Sequence, residues 1–282
     1  MSTRRSFLGK TALGIAGTAS LPLLGTALNT TKTASTQEGG DHPLNIGIAG
    51  YTFYKFDLEK TISMMKRVSV TNLSLKEFHL PLNSNAEKIS EVKSKLKEAG
   101  INIYTVGVIY MKSKEAVDQA FQYAKNVGVD MIVGVPNYEL LEYSEEKVKE
   151  HNIKLAIHNH GPEDKLYPSP KDIYDRIKNM DARMGLCIDI GHALRAGTLP
   201  EKAIREYKDR LFDLHIKDVN SSAKDAKAIE IGRGAIDFAA VIESLRKVKF
   251  QGVCSIEFEK DMTDPLAGIA ESVGFFKGVM KG

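Results

Sequence analysis

Eight short apolar runs, most separated by polar stretches of helical spacing, constrain this chain more than any other feature. The runs are NIGIAGY (45–51), NLSLKEF (72–78), INIYTVGVI (101–109), DMIVGV (130–135), KLAIHNH (154–160), MGLCIDI (184–190), LFDLHIK (211–217) and GVCSIEF (252–258). Between them lie segments such as AEKISEVKSKLKEAG (86–100) and KEAVDQAFQYAKNVG (114–128). Both carry apolar residues at helical spacing and end in glycine, a common helix stop. Near-continuous apolar strands alternating with amphipathic helices predict a parallel sheet covered by helices. Eight such units within residues 43–282 predict an α/β fold of the closed (β/α)8 TIM-barrel type. An open doubly wound sheet is the alternative, but no strand leads into a G-x-G-x-x-G loop. No linker or low-complexity insert interrupts the chain after residue 44.

The first residues read differently. STRRSFLGK precedes the mostly apolar TALGIAGTASLPLLGTAL. The pair Arg4 and Arg5, then Phe7, Leu8 and Lys10, match a twin-arginine export signal. Glycine, threonine, serine and Pro22 break the apolar stretch, so no stable membrane span is expected after export. Residues 29–42 (NTTKTASTQEGGDH) read as a flexible leader. The expected division is a signal and leader over 1–42 and a catalytic barrel over 43–282, with a periplasmic or otherwise exported location. Export of folded chains suits a protein that must take up a cofactor first. The net charge of +3 equals the three cations of the signal, so the remainder is neutral and carries no nucleic-acid footprint. Cys187 and Cys254 sit inside strand-like runs, and a domain of this size needs no disulfide scaffold.

In such a barrel, polar residues at the C-terminal ends of strands point into the active-site face. Here those ends supply Glu77 and His79, Asn137, His158 and His160, Asp189 and His192, His215 and Lys217, and Glu257 and Glu259. One strand-end histidine is ordinary. Consecutive strands ending in His, Asp, His and Glu are harder to reconcile with packing, because buried charges are costly unless paired or bound to metal. His158, Asp189, His215 and Glu257 come from neighbouring strands and can converge on one point. Two imidazoles and two carboxylates suit one divalent ion, Mn²⁺ or Zn²⁺ first, with Co²⁺ and Fe²⁺ also accommodated. A ring of structural salt bridges is the alternative.

These stretches also carry a resemblance. GLCIDIGHALRAG, DLHIKDV, IGRGAIDFAAVIESL and GVCSIEFE resemble the xylose isomerase-like TIM barrels of the sugar phosphate isomerase/epimerase superfamily, over roughly residues 45–280. LAIHNHGPED stands where that family carries its fifth-strand site motif. The resemblance implies metal-ligand positions at Asp189, His215 and Glu257, and substrate-binding positions at His192 and Arg233. One departure matters: the ketose 3-epimerases of this superfamily usually carry a glutamate near the position of His158. That glutamate is both ligand and one of two opposed acid/base groups, so its absence argues against a symmetrical two-glutamate mechanism.

A metal chelated by a carbonyl and an adjacent hydroxyl polarises the carbonyl and stabilises the enediolate left by proton loss. Glu257, Glu163, Asp164 and His160 are the candidate bases, with Lys217 and Arg233 placed to stabilise oxyanions. Glu77, His79, Asn137, His192 and Arg233 are the expected substrate contacts. The expected partner is a small carbohydrate, not nucleic acid; a homo-oligomer is left open. Export points away from phosphorylated sugars, and no P-loop motif is present. Three readings follow: a sugar isomerase/epimerase, a lyase or hydratase of 3-keto-glycosides, and a non-catalytic sugar-binding barrel. An endonuclease IV-like role is more distant, because that site uses a larger multi-metal ligand set.

Overall fold

The computed structural model describes residues 43–282, so the expected signal and leader lie outside the described residues. Eight parallel strands close into a barrel: β1 (Asn45–Ala49), β2 (Asn72–Leu75), β3 (Asn102–Met111), β4 (Met131–Pro136), β5 (Lys154–His158), β6 (Met184–Asp189), β7 (Leu211–Ile216) and, after a two-stranded ribbon, β10 (Val253–Ile256). β1 pairs with both β2 and β10, which removes every sheet edge and excludes the open-sheet alternative. The ribbon pairs β8 (Asp218–Val219) with β9 (Ala228–Ile229), an element too short to read from periodicity.

Nine helices complete the described residues: α1 (Leu58–Val68), α2 (Ala86–Glu98), α3 (Lys114–Val127), α4 (Leu141–His151), α5 (Pro170–Ile177), α6 (Ile190–Arg195), α7 (Pro200–Glu206), α8 (Phe238–Lys247) and α9 (Leu266–Val279). Their starts are chemically marked. Asp57, Asn85, Ser113 and Asp237 each accept a hydrogen bond from a first-turn N–H of α1, α2, α3 and α8. The amphipathic periods expected over 86–100 and 114–128 become α2 and α3, and Gly128 ends α3 with φ of 84°. Ile89, Val92 and Leu96 of α2 and Val117, Phe121 and Ala124 of α3 turn inward, so the main core lies between the barrel and its helical coat.

Several strands end earlier than their apolar runs. β2 stops at Leu75, β5 at His158 and β10 at Ile256. The polar residues that follow therefore leave the ladder and stand at the mouth of the barrel. A polar clamp then shapes the IGRGAID loop. Asp218 accepts from the backbone N–H groups of Val219, Gly232, Gly234 and Ile236. Gly232 takes φ of 94°, and a Cβ on Gly234 would lie 2.2 Å from Asp218 Oδ1. Only glycine fits so close an approach.

Candidate metal and substrate site

β5, β6, β7 and β10 bring four donors together at the floor of the mouth. Nitrogen or oxygen atoms of His158, Asp189, His215 and Glu257 lie within 4.8 Å of one another, and all four residues are buried. His158 Nε2 faces His215 Nδ1 at 3.0 Å and Asp189 Oδ2 at 3.9 Å. His215 Nδ1 lies 3.3 Å from Glu257 Oε2. Donors sharing one ion at bond lengths of about 2.0–2.2 Å stand about 3.0–3.5 Å apart; the 3.0 and 3.3 Å pairs match this, and a small closure of the 3.9 Å pair would bring it into range.

Local sequence explains the aim of each group. Asp189 caps α6: Oδ1 accepts from the His192 N–H at 2.8 Å, which leaves Oδ2 facing the cluster. That division is the physical content of D-x-x-H. Asn159, between the two histidines of HNH, pins the neighbouring strand by accepting from Asp189 N–H at 3.0 Å and donating to Asp189 C=O at 3.1 Å. Along β7 the period of two sends Asp213 and His215 inward, and Lys217 follows on the same side. Asp213 accepts from Tyr104 Oη at 3.1 Å below the site, and burial raises its pKa to about 7.

The electrostatics favour a cation. Asp189 Oδ2 is buried and accepts no well-directed hydrogen bond, although Lys217 Nζ lies 3.0 Å away. Burial pushes Asp189 up to about 6 despite Lys217. Burial alone would raise Glu257 too, but Lys217 and His215 hold it well below the usual carboxylate range. His158 is driven well below its ordinary value by burial and by the neighbouring His160 and His215 rings, which leaves it a neutral donor. For His215 burial lowers the pKa, and Glu257 more than reverses that. Neutral imidazole and ionised carboxylate are the forms that bind a divalent ion; His158 and Glu257 are shifted toward them, whereas Asp189 and His215 are shifted the other way and would be drawn into them by the ion. The donor set and the poorly satisfied Asp189 oxygen therefore fit the expected metal.

Lys217 Nζ also lies 3.0 Å from Glu257 Oε2, 2.8 Å from Glu259 Oε2 and 3.2 Å from His192 Nε2. Burial opposes its charge, but the three carboxylates around it raise its pKa well above the lysine value. His192 sits between Lys217 and Arg195, whose Nη1 is 3.1 Å from Nδ1. Burial, then Lys217, lowers its pKa to about 2, so the ring is neutral.

Above this floor opens a cavity of about 340 Å³ lined by Glu77, His158, His160, His192, Glu257 and Glu259, among others. His160 Nε2 is 2.9 Å from Tyr110 Oη, and Nδ1 is 3.1 Å from Asp164 Oδ2. Burial lowers its pKa against the pull of Asp164. Gly161 turns the chain away with φ of 93°. Lys76 is buried in the opposite wall, with Nζ 2.7 Å from both Glu77 oxygens and 2.5 Å from Val108 C=O.

Other residues singled out in the sequence stand elsewhere. Arg233 does not line the cavity; its exposed guanidinium pairs with Glu271 of α9 at 2.5 and 2.8 Å. Asn137 donates to Glu139 at 2.9 Å and is also outside the lining. His79 turns back beneath Phe78, where Nε2 meets Thr61 Oγ1 at 3.1 Å and Phe56 C=O at 3.0 Å. Glu163 is exposed and held by Arg195 at 2.8 Å. The sequence reading missed Lys76, Tyr51, Tyr54, Phe78 and Tyr110 in the lining. A lysine in LKEF and rings near strand ends carry no local signal of that role.

The family model of the xylose isomerase-like TIM barrel matches residues 73–279, and the chain belongs to that family. An uncharacterised protein of Methanocaldococcus jannaschii is 28% identical over 124 residues, 43% of this chain and 42% of its own. The rhizopine catabolism protein MocC of Rhizobium meliloti is 27% identical over 132 residues, 41% and 40% of the two chains. The matched stretch thus spans less than half the length of either relative. Among solved structures of similar fold, a D-tagatose 3-epimerase-like protein has a TM-score of 0.70 at 18% identity, covering 84% of this chain and 97% of its own. The IolI protein with a bound zinc atom has a TM-score of 0.69 at 15%, covering 84% and 98%. The 3-keto-D-glucoside 4-epimerase of E. coli has a TM-score of 0.67 at 16%, covering 84% and 100%.

Proposed function

We propose that this protein is a metal-dependent enzyme of the sugar isomerase/epimerase type. It removes a proton next to the carbonyl of a non-phosphorylated keto sugar or sugar derivative. The observation that carries this reading is the convergence of His158, Asp189, His215 and Glu257 beneath one cavity. Mn²⁺ or Zn²⁺ held by those four residues would supply Lewis acidity to a substrate carbonyl oxygen; the zinc of the IolI neighbour supports this choice. His160 is the base best placed on the cavity wall, oriented by Asp164 and in reach of Tyr110. Lys217 helps to keep Glu257 ionised and holds both Glu257 and Glu259 in place. Lys76 is the sole lysine or arginine in the lining, and Glu77 and Val108 occupy it, while Glu257 and Glu259 add negative charge. That balance disfavours a phosphate dianion.

A second reading, a lyase or hydratase of 3-keto-glycosides, is favoured by His158 itself. A buried neutral imidazole replaces the glutamate that a two-sided proton exchange would use. The E. coli neighbour's activity on a 3-keto-glucoside supports substrates of this class. Incubation with free ketoses and with 3-keto-glucosides in D₂O, followed by NMR, separates the readings. Deuterated, isomerised sugar is the expected result. Released aglycone or an enone moves the assignment to the lyase. No exchange with any substrate assigns a binding barrel instead. Twin-arginine export is proposed on residues 1–42, and replacing Arg4 and Arg5 with lysine should retain the protein in the cytoplasm; unchanged export contradicts it.

A further inference from the structure

One side of the cavity mouth is aromatic. Among the described residues six large apolar side chains are well exposed, and four of these, Tyr51, Tyr54, Phe78 and Tyr110, line this one cavity. Exposed rings scattered singly are ordinary, whereas four gathered at one opening mark a binding surface. They lie at or just beyond the ends of β1 and β2 and near the end of β3; β1 neighbours β10, and β2 and β3 stand across the barrel from β6 and β7.

The rings are held in place before any ligand arrives. Tyr51 and Tyr54 stack with centroids 5.7 Å apart, and Phe78 meets Tyr54 edge-on at 5.7 Å. Phe78 in turn rests edge-on against His79 at 4.7 Å, and Tyr110 stacks on His160 at 5.5 Å. His79, buried and tied to Thr61 and Phe56, thereby anchors the rim. Lys55 and Lys112 lie over the Tyr54 and Tyr110 rings at 5.1 and 5.9 Å. The cavity's volume of about 340 Å³ falls in the range of roughly 300–1,000 Å³ typical of sites for drug-sized ligands. Glu77, Glu257 and Glu259 in the lining favour a ligand without negative charge.

We propose that this aromatic rim is a second subsite that takes a flat, uncharged aryl ring, joined through a glycosidic oxygen to the sugar seated at the metal end. The substrate class is then an aryl glycoside or its keto derivative. This rests on the reading that the sugar's reacting carbon lies over His158, Asp189, His215 and Glu257. Aromatic contacts of this kind add free energy beyond area burial, enough for about tenfold in affinity.

The test is calorimetric binding of phenyl and methyl glucosides and galactosides, in both anomers, to the purified protein. None of these probes carries a keto group, so none can react by the proposed chemistry. The phenyl glycoside of at least one sugar should bind about tenfold tighter than its methyl partner. Tyr54→Ala and Phe78→Ala should remove the preference, and Tyr54→Phe should keep it. Both sites are well exposed, so the variants should fold. The preference is measured again after chelation of metal. A failed metal centre changes the absolute affinities but leaves the phenyl-to-methyl ratio, which separates failure of the metal reading from failure of the subsite. Equal affinities, no binding of any probe, or a ratio unmoved by both alanine variants overturns the subsite. Loss of a dimer in Tyr54→Ala with an unchanged ratio would assign the rim to a second copy of the chain, and also overturns it.

Discussion

The wall of the cavity built by β5, β6, β7 and β10 is buried and charged, while the wall built at the ends of β1, β2 and β3 is largely exposed and aromatic. On the first wall every group depends on another. Lys217 lies near all three of Asp189, Glu257 and Glu259, and His215 faces both His158 and Glu257. On the second wall the rings touch through weak, separable contacts and remain in reach of solvent. Buried charge makes a site cooperative and intolerant. Exposed aromatic surface makes one adjustable, so ligand choice can be altered at Tyr51, Tyr54 and Phe78 apart from the chemistry, while Tyr110 joins the two walls through His160.

The contrast can be broken by substitution. The largest effect is expected from Lys217→Met, which strands three carboxylates without their cation. In metal-free protein it should lower stability by about 3–5 kcal/mol in urea unfolding. Saturating Mn²⁺ should narrow that gap by restoring positive charge. A loss below about 1 kcal/mol would show that the charges are not mutually dependent.

Asp189→Asn keeps an oxygen for the α6 cap but removes an anionic donor. Its affinity for Mn²⁺ or Zn²⁺ should fall by about 100-fold by calorimetry, with the fold unchanged by circular dichroism. Unaltered affinity would remove Asp189 from the ligand set. His158→Glu probes the same wall more gently. It should still bind metal, and under the lyase or hydratase reading its kcat on a 3-keto-glycoside should drop about tenfold as an added negative charge weakens the Lewis acid. A gain in ketose epimerisation would instead favour the two-glutamate mechanism.

The smallest effect belongs to the aromatic wall. Phe78→Ala should change stability by no more than about 0.5 kcal/mol and leave metal affinity untouched. A larger loss of either would mean that the two walls are coupled.

The same contrast governs what could be read from sequence. All eight strands appear within a few residues of their apolar runs, because strands covered on both faces need continuous hydrophobicity. The metal donors were legible because charge at the end of a buried strand demands a partner. The aromatic wall was not: Tyr54 and Phe78 look no different in sequence from Phe53 and Phe121, which are fully buried. Arg233 failed for another reason. Its partner Glu271 arrives from α9, and no local pattern announces a pairing across 38 positions. His79 was placed on the right loop, but Thr61 and the Phe56 carbonyl turn its ring beneath Phe78.

The most direct test of the central claim is elemental analysis of protein loaded with Mn²⁺ or Zn²⁺, then desalted without chelator. One cluster of four donors predicts about one equivalent per chain in the wild type and a small fraction of that in Asp189→Ala. A folded wild-type protein that retains no divalent metal, or an Asp189→Ala variant that retains the full equivalent, would contradict it.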